Sequence, residues 1–362
     1  MPISPFVQEE YLSYYFNKTG ADRLYDGVAL RKELDFDLIT RQNISNHAYF
    51  VQKSYSNWEV DNTTLIENGN IIQTIRITTP ERVLTQKEGA GYDERLGIGV
   101  HMSTLEYLIK DEEDLKAFCK YCPPMGQAYE NYILQSGVEA KKQIGDLGIN
   151  CPWAIGSVYN LASTFIDVQN MMMDALVEEE YYDKYMSFFA EIVRENYKVF
   201  ARSEYDAVGI QGNIANGALM GEDFFREHVM PYEQKALRPL IDAGMPTIYH
   251  NCGNARNLYG CYKDLGITVW ETVAPTPMGD NDLRTAKEYF GDALVLSGGL
   301  DQVHFLKTAS PDEVEKAARE QMKIGKEGGH YIFACSDYLE ADTPLENVKA
   351  MLRGARAEAA FE

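Results

Sequence analysis

From about residue 150 onward, short β-like apolar runs alternate with helical patterns. This alternation is the strongest constraint on what the chain can fold into. The candidate strands lie at 152–161, 206–213, 246–252, 267–275, 293–301 and 331–337. Helical stretches separate them, among them the long run from Phe165 to Ser203 and the segment from Ser310 to Gly328. The second opens with Ser310 as N-cap, Pro311 at the first helical position and Glu313 three residues after the cap, a capping box with a proline start. Repeated strand–helix–strand order implies a parallel sheet. Six such units, with room for two more upstream, predict an α/β fold of the (β/α)8 (TIM) barrel type. The competing architecture is an open doubly wound sheet. That fold usually carries a glycine-rich phosphate loop after an early strand, and neither G-x-G-x-x-G nor a P-loop occurs here. Nothing resembling a linker or a repeat divides the chain, so residues 1–362 are read as one domain. Residues 1–110, with segments such as NGNIIQTIRITTPERVLTQKEG, are read as an elaboration of strands and turns near the barrel mouth.

Barrel enzymes assemble their sites at the carboxyl ends of the strands. One candidate end reads IYHNCGNARNLYG (248–260). In a strand alternate side chains share a face, so His250 and Cys252 point together while Tyr249 and Asn251 point oppositely. A nitrogen and a sulfur delivered to one small volume suit zinc; the plainer reading is a pair of core residues at a strand end. Cys335, 83 positions further on and sharing strand parity with Asp337, is the natural third ligand once the loops bend it over the mouth. Glu271 serves as a fourth ligand, an acid or a substrate hook, or else caps a loop. Asp301 either fixes its turn through an Asx-type bond or touches substrate. Gln211 and Asn213 end another strand, and Asp337 another, as candidate substrate contacts. Trp153, Tyr159, Tyr249 and Trp270 offer an aromatic lining for an apolar small-molecule pocket. The CxxC at Cys119 and Cys122 has no second pair and is read as structural, and Cys151 and Cys261 as buried small hydrophobes. The methionines 171–173 read as helix packing, and the other five histidines (47, 101, 228, 304 and 330) show no ligand-like spacing.

Charge narrows the partners. With 34 Lys and Arg against 55 Asp and Glu, the net charge of −21 argues against wrapping a nucleic-acid backbone. No run approaches 18 apolar residues, and the N-terminus lacks a charged segment followed by an apolar one. Neither a membrane span nor a signal peptide is expected. Six cysteines are too sparse for a disulfide framework, which favours a reducing, cytoplasmic setting.

The H-x-C-G at 250–253, GGLD at 298–301, SPDEV at 310–314 and GGHYIFACSDYLEADTPLENVKAM at 328–351 together resemble the uroporphyrinogen decarboxylase superfamily. Within it the chain is similar to the zinc-dependent branch of corrinoid and coenzyme M methyltransferases. The resemblance implies a barrel fold and a zinc site on His250, Cys252 and Cys335. It also implies that the other methyl-transfer partner is a cobalamin carried on a separate corrinoid protein. One departure is the FACSD context, where relatives commonly have a glycine beside the cysteine. The decarboxylases resemble one another in an Arg-Gln-Ala-Gly-Arg motif whose arginines meet substrate carboxylates; here the nearest string is RQNIS at Arg41, without the second arginine. The expected function is a zinc methyltransferase of corrinoid-dependent one-carbon metabolism, demethylating a small methylated or methoxylated compound. The competing readings are methylcobalamin:thiol transfer, a decarboxylase-like enzyme, and a non-catalytic corrinoid- or ligand-binding relative. The expected partners are a small methylated substrate and a corrinoid protein, with a homodimer left open, and neither nucleic acid nor membrane.

Overall fold

The computed structural model of the protein describes residues 1–45, 48–94 and 97–360, and the side chains of 98, 100 and 101 fall outside the description together with His47. The described residues form eleven strands in chain order: β1 (Leu38–Ile39), β2 (Glu59–Glu67), β3 (Asn70–Thr78), β4 (Val83–Asp93), β5 (Ile98–Glu106), β6 (Gly148–Ile149), β7 (Val208–Gln211), β8 (Thr247–His250), β9 (Val269–Val273), β10 (Val295–Gly298) and β11 (Tyr331–Ile332).

β7 to β11 form a parallel sheet in sequence order. Single contacts carry that sheet round into a closed ring. Trp153 bridges Gly209 at one edge, and β6, just before Trp153, pairs in parallel with β1. At the other edge Phe333 bridges Ile3, with Ser4 N donating to Phe333 O at 2.9 Å and Phe333 N to Pro2 O at 3.0 Å. Asp37 N then donates to Ile3 O at 2.8 Å, which joins the first segment to β1. Eight segments therefore enclose a parallel barrel, and the two beyond the six recognised by periodicity come from residues 2–4 and 38–41. Each is too short to leave an alternation signal. The first forty residues are thus barrel wall as well as elaboration.

The period-2 alternation of the strands decides what the barrel holds. Cys151, Ala207, Ile248 and Val269 form one buried layer, with Ile39, Val295 and Ile332 packed against it. Two residues further along each strand the inward positions become Arg41, Trp153, Gly209, His250, Glu271, Ser297 and Ala334. Three ionisable groups, Arg41, His250 and Glu271, thus enter the interior in one step. Outward-facing Tyr249 and Trp270 meet the surrounding helices instead: Tyr249 lies 5.9 Å from Tyr262, and Trp270 lies 5.4 Å from Tyr259 and 5.7 Å from Phe290 between ring centres. The expected aromatic lining is therefore reduced to Trp153.

Two expected elements differ in detail. The run 152–161 is strand-like at Trp153 and then turns into the helix Val158–Phe165, because Ser157 caps it by accepting from Asn160 N. Tyr159 is a buried helical residue. The long stretch after Phe165 is two helices, Val168–Val177 and Glu179–Phe200, the first capped by Asp167. The capping box at Ser310 and Glu313 forms as the sequence indicates, opening the helix Pro311–Lys326.

β2 to β5 form a separate antiparallel sheet in sequence order. Asn68 and Gly69 both take positive φ, as the tight β2–β3 hairpin demands. One row of its inner face, Val60–Ile77–Leu84, packs into the same hydrophobic core as Trp58, Phe50 and Phe118, and so fastens the sheet to the barrel. No helix among the described residues is long and apolar enough to cross a membrane.

Candidate metal centre

His250 is the last residue of β8, and the chain turns away three residues later at Gly253, whose φ of +82° suits glycine. Cys252 thus sits just beyond the strand on the same side as His250. The turn after β11 brings Asp337 across the mouth. One ligating atom from each of His250, Cys252 and Asp337 lies within 4.8 Å of the other two. Nitrogen, sulfur and oxygen donors at this spacing match the chemistry of a zinc site.

The histidine is held from several sides. Its Nδ1 is 3.1 Å from Glu271 Oε2, which leaves Nε2 facing Asp337 Oδ1 at 3.7 Å. Phe6 and Trp153 meet the ring edge-on at 5.6 and 5.8 Å. Glu271, 3 % exposed, uses its other oxygen to accept from Arg41 Nη2 at 2.5 Å. Arg41 is itself buried, with its guanidinium 5.3 Å from the Phe6 ring and 5.6 Å from Trp153. A chain of alternating charge thus runs Arg41–Glu271–His250–Asp337. Burial opposes the ionised form of Glu271, but Arg41 and then His250 outweigh it and hold its carboxyl down at about 2. Burial likewise opposes a charged His250 ring, yet Asp337, Cys252 and Glu271 together raise its pKa well above the usual range. Asp337 is raised by burial, an effect that His250 offsets in part. A metal replacing the proton on His250 would enter a site whose charge is already arranged for a cation.

Cys335 is buried in the same turn, bridging Leu300, and its Sγ donates to the carbonyl of Asp337 at 2.9 Å. Burial, reinforced by Asp337, pushes its thiol up to about 12. The structure thus gathers His250 and Cys252 with the carboxylate of Asp337, while the Cys335 sulfur rests on a carbonyl two residues away. Gln211 is the register partner of His250 on β7 and is half-buried. Asn213 Oδ1 accepts from Asn160 Nδ2 at 2.9 Å, tying the end of β7 to the helix Val158–Phe165. Asp301 accepts from Val303 N and His304 N, both at 2.8 Å, and so caps the turn after β10. The backbone N–H of Tyr159 donates to Glu233, and its buried hydroxyl has no hydrogen-bond partner. Cys119 and Cys122 lie at the end of the helix Glu112–Tyr121, away from this cluster of ligands. Arg41 is the member of the charge chain that strand reasoning missed. Its signal is a lone arginine entering the barrel on the inward parity of Ile39.

Fold and ligand cluster define a (β/α)8-barrel protein with a candidate metal centre at the carboxyl ends of its strands. The chain belongs to the uroporphyrinogen decarboxylase (URO-D) family, whose model matches residues 149–357. It is 23% identical over 304 residues to the methylcobamide:CoM methyltransferase MtbA of Methanosarcina acetivorans, covering 81% of this chain and 83% of that protein. It is 24% identical over 195 residues to the methylcobamide:CoM methyltransferase MtaA of Methanosarcina barkeri, covering 53% of each. Among solved structures, a methyltransferase from Methanosarcina mazei superposes with a TM-score of 0.68 at 14% identity, covering 99% of this chain and 94% of the other, a likeness of fold.

Proposed function

We propose that this chain is a corrinoid-linked methyltransferase that moves a methyl group from a small methylated or methoxylated compound to the cobalamin of a corrinoid protein. The observation that carries the reading is the cluster of His250, Cys252 and Asp337, with His250 Nδ1 held by Glu271 so that Nε2 is free to bind a metal. Family membership and the methyltransferase relatives support the reaction class. His250, Cys252 and Cys335 are proposed to hold zinc. Cys335 is chosen over Asp337 because thiolate is the softer donor, and freeing its sulfur breaks a single hydrogen bond. When bound, zinc would act as a Lewis acid toward the heteroatom that bears or receives the methyl group.

The chain's own residues then have distinct tasks. Glu271 is a positioning residue: it fixes the tautomer and orientation of His250, and Arg41 keeps its carboxylate ionised. Phe6 and Trp153 clamp the imidazole and keep water from that side. Gln211, in register with His250, and Asp337 border the reacting group; Asn213 and Asp301 shape the mouth around it, while Tyr159 stays buried in the helix Val158–Phe165. The second reading, methyl transfer from methylcobalamin to a thiol, is favoured by the names of the curated relatives.

Purified protein mixed with cob(I)alamin and a panel of methoxyaromatics, methylamines and betaines tests the choice through the cobalt absorbance. Methylcobalamin should form with at least one donor. Failure with all of them, together with demethylation of methylcobalamin by added thiols, reverses the direction.

A further inference from the structure

The antiparallel sheet has an inner face of two kinds. The row Val60–Ile77–Leu84 is apolar and packed, as a sheet face on a core should be. The next two rows toward the tip read Asn62–Ile75–Gln86 and Thr64–Gln73–Glu88, paired by the same register. These rows do not seal onto the barrel. They form the roof of a cavity of about 550 Å³ whose floor is the start of the helix Val158–Phe165 and the end of β7. Gln211 lines that cavity and is the register partner of His250, so the space opens one strand away from the candidate metal centre. Its lining includes none of His250, Cys252 and Asp337.

The roof is unfinished chemically. Gln86 is 1 % exposed; its Nε2 donates to Glu88 Oε1 at 3.1 Å, and its Oε1 has no partner. No ion pair of the described residues supplies Glu88 with a cation, and no lysine, arginine or histidine stands among the described lining residues. A buried amide oxygen without a donor costs free energy, and a carboxylate without a counter-ion attracts one. Both groups are acceptors on the same face of one strand, so the ligand they fit carries hydrogen-bond donors.

We propose that this roof is the recognition wall for the substrate, and that it selects a small methylated compound with a donating, cationic end over neutral and anionic analogues. The ammonium group meets Glu88 and Gln86 Oε1, while the apolar part lies over Ile155 and Leu161 on the floor. An anion placed there faces Glu88 with no cationic side chain among the described lining residues to neutralise it. The proposal rests on the methyl-transfer reading for the word substrate, but its test does not involve methyl transfer.

The probes are three molecules of one shape: 4-methoxybenzylamine, 4-methoxybenzyl alcohol and 4-methoxybenzoate, titrated calorimetrically into the full chain as purified. The amine should bind about ten-fold more tightly than the alcohol, and the benzoate more weakly than both. Glu88→Gln should bring the amine to within about three-fold of the alcohol, and Gln86→Leu should weaken both by about ten-fold. Gln86→Glu, which adds a second carboxylate, should widen the preference for the amine. Unchanged zinc content and melting temperature certify that each variant is folded. Tightest binding of the benzoate, or identical rankings in wild type and all three variants, overturns the proposal. Rankings as expected without methylation of cob(I)alamin leave the wall standing and remove the proposed function; methylation with unaltered rankings does the reverse.

Discussion

The barrel mouth and the sheet above it are both polar inside, and they handle that polarity in opposite ways. In the barrel, the buried ions Arg41, Glu271 and His250 and the partly buried Asp337 are set in alternating order, each answered by the next. In the sheet, the two polar inner rows carry amides and hydroxyls, and their carboxylate, Glu88, is met among the described residues by the amide of Gln86. Buried opposite charges at short range cannot shift without large cost, so they fix geometry. Neutral groups around open space can exchange partners, so they suit recognition. A metal demands the first arrangement and a substrate that enters and leaves demands the second.

The largest effect belongs to the ligands. Cys252→Ser should cut zinc affinity by more than about 100-fold, since loss of a mere orienting partner already costs 10–100-fold. Elemental analysis of protein purified without added metal reads it. Cys335→Ser should do the same, and Asp337→Asn should retain most of the metal. Zinc lost from Asp337→Asn but kept in Cys335→Ser would transfer the third position to the carboxylate, as the side chains stand in the structure.

Next comes the charge chain. Arg41→Met strands Glu271 as a buried anion, and breaking a buried pair in this way costs about 3–5 kcal/mol. Urea unfolding should show most of that loss, with Arg41→Lys recovering part. A loss below about 1 kcal/mol would mean that water reaches Glu271, and the contrast between a locked mouth and an open roof would fail.

The sheet divides within itself. Leu84→Ala removes a fully buried side chain from the row that fastens the sheet, at about 2–5 kcal/mol. Thr64→Ala, two rows away and exposed, should stay within about 0.5 kcal/mol. Neither should alter zinc content. Equal costs would erase the distinction between fastening row and roof.

These contrasts also show which parts of the molecule could be read from the chain. His250 and Cys252 are legible because strand parity is a local property: two positions apart means one face. The capping box at Ser310 is legible for the same reason. Arg41 and Glu271 are 230 residues apart, and in the sequence the arginine reads as a fragment of a carboxylate-binding motif; only ring closure reveals that it neutralises a residue of the chain itself. The barrel's first two segments were invisible as strands because each makes only a few ladder bonds. Tyr159 reads as part of a strand because the apolar run continues past Ser157, where the cap ends the strand and begins a helix. The polar rows of the sheet were present in the sequence as alternation, but the direction of each row became meaningful only with the register of three strands.

The smallest expected effect concerns a third way of handling buried polarity, on the outer layer of the barrel. Glu233, 1 % exposed in the helix Met230–Asp242, accepts from Tyr159 N at 2.9 Å and Val158 N at 3.0 Å. It satisfies two of the free N–H groups at the start of the neighbouring helix. Burial raises its carboxyl above the usual range, and the two backbone bonds offset that only in part. A folded-state pKa above the unfolded value means that its contribution is fully present below the unfolded pKa, near 4.5, and is lost as pH rises through the folded value. Glu233→Gln cannot ionise and so escapes that loss, while its amide oxygen still reaches one N–H. The difference in melting temperature, variant minus wild type, should therefore climb between pH 4 and pH 7, by on the order of 2 °C. A difference that stays flat or falls over that range would show that the two N–H groups stabilise the charge fully, and Glu233 would then join Glu271 among the locked ions.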